Sequence, residues 1–170
     1  MAHLKHSTHI IRPSLSQSRP IHTKHQNRIY NSVRTQDDFQ TLIALSTSNN
    51  IPLITFWTAS WCPTCKIASP LIREIIENPD GRYLSKDVRV GFAEVEVDAP
   101  DVGYGLGARF MIRSIPALLA FRRDLPQIDN VLTNKHHLTN RQTLIRWIED
   151  VAKEGEEDRK RKELVGNWFS

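Results

Sequence analysis

The stretch Ile51-Pro52-Leu53-Ile54-Thr55-Phe56-Trp57-Thr58-Ala59-Ser60-Trp61-Cys62-Pro63-Thr64-Cys65 carries the reading of this chain. Its first half is an apolar run broken only by Pro52 and Thr55. Such a run predicts a central strand buried on both faces. Its second half holds the only two cysteines of the chain, three residues apart. Pro63 suits the first position of a helix, where a missing N–H costs nothing. The cysteines therefore stand where a strand gives way to a helix.

That spacing has a chemical meaning. A disulfide needs its two α-carbons roughly 4.4–6.8 Å apart, and one helical turn brings positions i and i+3 to about that distance. At the start of a helix, Cys62 meets the partial positive charge of the first turn. Thiolate is then favoured over thiol, which makes Cys62 the nucleophile. Cys65, one turn inside and expected to be more buried, is placed to attack the mixed disulfide that Cys62 forms. The pair thus points to dithiol–disulfide exchange. A zinc site would need a second pair of ligands, and no third cysteine exists; the adjacent His136 and His137 are poorly placed to share one tetrahedral centre. A purely structural disulfide closing so small a loop would constrain the unfolded chain little.

The elements around the motif read as β-α-β-α-β-α-β-β-α. Tyr30–Val33 is expected as a short first strand. Thr35 with Asp38 approximates a capping box, and Phe39, Leu42 and Ile43 give the stripe of a helix over 36–48. Asn49-Asn50 ends it. Ile67, Leu71, Ile72, Ile75 and Ile76 form the buried stripe of the cysteine helix, with Pro70 expected to kink it. Asn78-Pro79-Asp80-Gly81 is a stop and turn. A strand is expected within 88–97, with Glu94 and Glu96 on its solvated side. Residues 101–110 read as a short helix or irregular segment whose glycines, Gly103, Gly105 and Gly107, give loop flexibility. Strands are expected at 115–121 and, weakly, at 128–133. Thr139 and Gln142 suggest a second capping box before a helix carried by Leu144, Trp147, Ile148 and Val151. Glu156/Lys160, Glu157/Arg161 and Asp158/Lys162 fit an exposed helical extension. Trp168-Phe169 closes that polar tail without an assigned role. The pattern predicts an α/β fold, a mixed central sheet sandwiched between helices.

Composition divides the chain. Of 23 Lys and Arg, six (Lys5, Arg12, Arg19, Lys24, Arg28, Arg34) precede the first acidic residue, Asp37. The remaining 17 face 19 Asp and Glu, a net of −2. The basic character belongs to the leader, which argues against a nucleic-acid-binding domain. A basic leader with Ser and Thr but no acid matches a mitochondrial transit peptide, and no apolar stretch of the secretory kind is present. Pro13 and Pro20 limit any helix within it. Arg28-Ile29-Tyr30 followed by Asn31-Ser32 resembles a mitochondrial processing signal. The expected organisation is a leader over 1–30, a domain over 31–153 and a charged tail over 154–170. No run of 18 apolar residues exists, so no membrane-spanning helix is expected. The expected location is the mitochondrial matrix, with the cytoplasm as the alternative; either would keep the cysteines free to cycle.

Over residues 29–153 the chain resembles the thioredoxin family. The residues that carry the likeness are Thr58-Ala59-Ser60-Trp61-Cys62, Pro70 eight residues after Cys62, and Ile115-Pro116 ahead of Ala117-Leu118-Leu119-Ala120-Phe121. The resemblance implies a thioredoxin-like fold and a protein-disulfide reductase activity with Cys62 and Cys65 as the catalytic pair. It implies a cis Ile115–Pro116 bond beside the disulfide. It also implies substrate contact by Ile115 and Pro116, with Trp61, Pro63 and Thr64 around the cysteines. No bound cofactor or metal is implied. Electrons would come from a donor such as thioredoxin reductase or glutathione, and the protein is expected to be a monomer.

Three departures qualify the resemblance. Most thioredoxins carry Gly-Pro between the cysteines, whereas Pro63-Thr64 is closer to the glutaredoxin pattern. Thioredoxins sit near about −270 mV and glutaredoxins at roughly −200 to −230 mV, so a less reducing pair is expected. The family's buried Asp on the preceding strand is replaced by Phe56, or by Thr55 after a one-residue shift; Glu94 and Glu96 on the following strand are candidates to substitute, with solvated surface the preferred role for both. The segment between the motif and Pro116 is longer than in a minimal thioredoxin, with Gly81–Arg89 as the expected insertion. Lys135, His136, His137 and Leu138 stand where groove-shaping glycines are usual. Two alternative functions follow from these departures: an interaction or assembly module with little turnover, and a glutathione-dependent, glutaredoxin-like activity.

Overall fold

The computed structural model describes residues 27–78 and 81–166. The leader up to Gln26, the Pro79-Asp80 part of the expected turn and the Trp168-Phe169 pair lie outside the described residues. The continuous apolar run becomes β2 (Leu53–Thr58), buried along its whole length. It lies at the centre of a five-stranded sheet with β1 (Arg28–Ile29), β3 (Gly91–Glu96), β4 (Ala117–Arg122) and β5 (Leu125–Pro126), in the order β1-β3-β2-β4-β5. β2 runs parallel to β3 and antiparallel to β4, and the two outermost pairings are parallel (β1–β3) and antiparallel (β4–β5). The mixed sheet matches the expected class.

Strand alternation divides β2 between two cores. Ile54 and Phe56 face the side covered by α2 (Pro63–Glu77) and α5 (Arg141–Gly166), where Ile72, Ile75, Ile76, Leu144 and Ile148 pack. Leu53 and Trp57 face α1 (Gln36–Asn49) and α3 (Gly103–Arg109), among Phe39, Leu42, Phe110 and Phe121. Helices thus cover both faces of the sheet. On the second face Phe39, Phe110 and Phe121 meet in tilted and edge-on pairs, with centroids 5.0–5.4 Å apart. Such geometry suits the ring quadrupoles.

Several local expectations hold. The Thr35/Asp38 capping box is present, with Asp38 N–H donating to Thr35 Oγ1 and the Asp38 carboxylate accepting from Thr35 N–H. The Thr35 hydroxyl holds the Asp38 carboxyl below the usual carboxylate range, with Arg34 N–H helping. Asn50 and Asn78 end α1 and α2 in the left-handed conformation, which Asn tolerates.

Other expectations are corrected. The first strand pairs at Arg28–Ile29 instead of 30–33, and Val33 touches the sheet only through an isolated bridge to Val95. The weak strand at 128–133 is a 3₁₀ turn over Ile128–Asn130 followed by a single bridge from Leu132 to Leu118. β5 arises earlier, immediately after the tight turn at Arg123 and Asp124, both at positive φ. The second capping box does not form as expected. Thr139 closes the one-turn α4 (Lys135–Leu138), its hydroxyl donating to Lys135 C=O, and Asn140 Oδ1 accepts from Thr143 N–H at the start of α5. Gly103, Gly105 and Gly107 lie in α3 and not in a flexible loop.

The long segment between α2 and β3 is pinned. Asn78 Oδ1 accepts from the N–H groups of Tyr83 and Leu84. Tyr83 hydroxyl donates to Glu74, and Arg141 bonds the same carboxylate at 2.9 Å while lying over the Tyr83 ring. The Arg141 bond, with Tyr83, holds the Glu74 carboxyl below its ordinary range.

The charged stretch after Gly155, expected as a solvated extension, is docked along its first turns. α5 passes through Gly155 without a break. Arg122 of β4 reaches Glu154 at 3.5 Å and Asp158 at 3.3 Å, and Arg123 donates to Asp158 C=O at 2.9 Å. The boundary expected between 153 and 154 falls inside this helix.

Candidate active site

β2 ends at Thr58, and three residues carry the chain to Cys62 at the N-terminus of α2. Ser60 anchors this turn. Its N–H and hydroxyl both donate to Asp98 Oδ2, at 2.8 and 2.6 Å, which ties the motif loop to the loop after β3. The Ser60 hydroxyl is the main cause that holds the Asp98 carboxyl below the usual carboxylate range. Ala59 C=O accepts the Cys62 N–H at 3.1 Å, which fixes the entry into the helix.

Cys62 is the N-cap of α2, and Pro63 holds the first helical position. Cys62 Sγ accepts the N–H of Cys65 at 3.2 Å. A sulfur in that position takes up one of the free N–H groups that every helix start leaves unpaired. In the reduced protein the same N–H and the helix dipole favour a thiolate on Cys62. The two cysteines are joined, with S–S 2.17 Å and α-carbons 5.3 Å apart, within the range a disulfide requires. Both are buried, at 4% and 2% exposure, so burial does not separate their roles as expected. The helix position of Cys62 does.

Around the pair, Trp61 is 68% exposed, Pro63 is exposed and Thr64 is half-buried. Ile115–Pro116 is a cis peptide, as the resemblance implied. Pro116 is buried immediately before β4, and Ile115 packs against the core cluster that contains Cys62 and Cys65. The chain therefore gathers the sequence-predicted site residues at one end of the sheet, beyond the C-terminal end of β2. Lys135–Leu138 form the short α4, capped by Asn134 Oδ1, with Leu138 buried and the two histidines exposed.

Phe56 lies on the same face of β2 as the cysteines and is fully buried among them. Thr55 points to the other face, donating to Leu119 C=O and accepting from Trp57 Nε1. Neither supplies an acid or base to the pair. Beside the disulfide runs a groove of about 550 Å³ lined by Cys65, Lys66 and Ser69 of α2 and by Glu94, Glu96 and Asp98. From the sequence, Glu94 and Glu96 are candidates to replace the missing acid, with solvated surface the preferred role for both. Glu94 is instead half-buried and accepts from Ser69 Oγ at 2.8 Å and Arg73 Nε at 2.5 Å, while Glu96 pairs with Arg34 at 3.1 Å. Ser69 and Arg73, at four-residue spacing after Cys65, carried the signal; Asp98 and Arg34 carried none.

Among the described residues there is no cluster of potential metal ligands, and no helix is long and apolar enough to cross a membrane. A helix-capping cysteine joined to a second cysteine one turn on, beyond the C-terminal end of the central strand of an α/β sheet, defines a thiol–disulfide oxidoreductase. The thioredoxin family model matches residues 31–150. The chain belongs to the thioredoxin family, and its activity is that of a protein-disulfide oxidoreductase. It is 34% identical over 83 residues to thioredoxin 1 of Chlorobaculum tepidum, covering 48% of this chain and 71% of that one. It is 31% identical over 102 residues to the thioredoxin of Pyropia yezoensis, covering 59% and 84%. Among solved structures, Malassezia sympodialis thioredoxin superposes with TM-score 0.54 at 20% identity, covering 77% of this chain and 99% of that one. Fasciola hepatica thioredoxin superposes at 0.52 and 19%, covering 71% and 95%. At such identities these superpositions establish the fold.

Proposed function

We propose that Cys62 is the attacking thiol and Cys65 the resolving one in the reduction of protein disulfides. The observation that carries this order is the N-cap position of Cys62, whose sulfur accepts the Cys65 N–H. The Cys62 thiolate attacks one sulfur of the substrate disulfide, and the other leaves as a thiol. Cys65 then attacks Cys62 Sγ, releases the second substrate thiol and leaves the protein oxidised. Two electrons pass from the dithiol to the substrate. Trp61, Pro63, Thr64, Ile115 and Pro116 form the surface that receives the substrate chain; the exposure of Trp61 supports this. An electron donor such as thioredoxin reductase, or glutathione, returns the electrons.

The protein acts as a monomer in the mitochondrial matrix, a location that rests on the acid-free basic leader. Fusing residues 1–30 to a fluorescent reporter tests the address: a cytoplasmic signal would refute it. Insulin-disulfide reduction by the full chain tests the activity. The wild type turns over, and Cys62→Ser is inactive; equal rates would end the proposal.

A further inference from the structure

The attack by Cys65 requires its thiol to lose a proton first, because the thiolate is the nucleophile. The burial of Cys65 opposes that ionisation. Phe56 fills the strand position facing the pair and accepts no proton, and Thr55 points away. The groove beside Cys65 is where a proton can leave, and three carboxylates line it. Asp98 is committed to the motif loop through Ser60, and Glu96 to Arg34. Glu94 is different. It lies beside Phe56 in the β2–β3 register and is hydrogen-bonded to the helix that carries Cys65. The link is Ser69, four residues after Cys65 and therefore on the same face of α2, one turn along. Cys65, Ser69 and Glu94 line one continuous space, with room for water, which occupies about 30 Å³ per molecule.

We propose that Glu94, acting through Ser69 and groove water, accepts the proton that Cys65 loses when it resolves the mixed disulfide. This rests on the attack order given above. The step balances as follows. The Cys65 S–H proton passes by way of Ser69 Oγ or water to the Glu94 carboxylate. The Cys65 thiolate forms the bond to Cys62 Sγ, and the bond from Cys62 Sγ to the substrate sulfur breaks. The substrate sulfur leaves with the electron pair and is protonated from solvent. Glu94 returns its proton to solvent through the groove. Glu94 is thus a positioning residue for proton transfer, and the carboxylate comes from β3 in place of one on β2. Arg73, at 2.5 Å from the same oxygen, orients the carboxylate.

The two cysteines are the only thiols in the chain, which makes the test direct. Reduced full-length protein is mixed with the aromatic disulfide DTNB in a stopped-flow instrument. The first thionitrobenzoate released reports attack by Cys62, and the second reports resolution by Cys65. Glu94→Gln keeps the shape and the Ser69 contact but loses the charge. It is expected to slow the second phase about tenfold at pH 7 and to leave the first unchanged. The deficit is expected to shrink steadily as pH rises, because hydroxide then takes the Cys65 proton without the carboxylate. Glu94→Asp restores part of the rate. Arg73→Gln breaks the ion pair but keeps the carboxylate, so its second phase matches or exceeds wild type. A structural role would instead make Arg73→Gln and Glu94→Gln slow together at every pH. That result, or a wild-type second phase in Glu94→Gln at pH 7, overturns the proposal. Release of thionitrobenzoate by Cys62→Ser as fast as by Cys65→Ser would instead remove the attack order, and the proposal with it.

Discussion

Gly155 and Gly105 are both helical glycines, yet replacing each by alanine should move stability in opposite directions. A Cβ built on Gly155 would lie 2.2 Å from Pro52 Cγ and 2.8 Å from Pro52 Cδ. Ordinary carbon contacts are about 3.5–4.0 Å, so the overlap exceeds 1 Å. The neighbour cannot yield cheaply. Pro52 is a rigid ring, its carbonyl accepts the Gly91 N–H at 2.8 Å, and β2 begins at the next residue. Alanine in a helix interior gains up to about 1 kcal/mol over glycine, whereas forced overpacking costs roughly 1–3 kcal/mol. With a stiff neighbour the clash wins, and Gly155→Ala should lose about 1–2 kcal/mol, or roughly 2–8 °C in Tm. At Gly105 a Cβ meets nothing within 4 Å. Gly105→Ala should gain up to about 1 kcal/mol, less if the short α3 frays. Thermal and urea unfolding of the oxidised full chain, followed by circular dichroism, would measure both. If Gly155→Ala stabilised the protein as Gly105→Ala does, the later turns of α5 would not rest on Pro52, and the docked tail would be wrong.

Three further outcomes are expected. Equilibration of the pair against glutathione buffers should give a potential above the roughly −270 mV of thioredoxins, and a value at or below it would contradict the reading of Pro63-Thr64. Trp61→Ala should change stability by less than about 0.5 kcal/mol, because the ring is exposed, while kcat/KM for protein disulfides falls several-fold; an unchanged kcat/KM would remove Trp61 from the substrate surface. Asp98→Ala should lower Tm at neutral pH by an amount worth less than about 1 kcal/mol, as exposed charged contacts do. Because the folded-state Asp98 carboxyl is held below its ordinary range, that contribution is present above about pH 4 and is lost as pH falls through the lowered value. A Tm difference between wild type and Asp98→Ala that persisted unchanged at pH 2 would refute the Ser60–Asp98 anchor.

The parts of the fold that follow from local pattern were legible. The Leu53–Thr58 strand, the cysteine helix and the Thr35/Asp38 cap depend on residues close in sequence, and each formed where expected. The cis Ile115–Pro116 bond came from the family resemblance alone. What failed depends on distant neighbours. Alternation marks Glu94 as facing away from Val95 and Ala93, but α2 covers that face and supplies Ser69 and Arg73. The tail looked solvated because its own residues are charged; its docking depends on Pro52, Arg122 and Arg123. β5 is two residues long and has no period to read. The Thr139 cap lost to Asn140 because Thr139 closes a helical turn that Asn134 had already begun.

The central claim is that Cys62 attacks and Cys65 resolves, and trapping tests it most directly. Cys65→Ser, incubated with a protein disulfide such as insulin and analysed by mass spectrometry without reductant, should hold the substrate in a mixed disulfide on Cys62. Cys62→Ser should hold little or none. Equal yields of mixed disulfide on Cys65 in the Cys62→Ser protein would contradict the account.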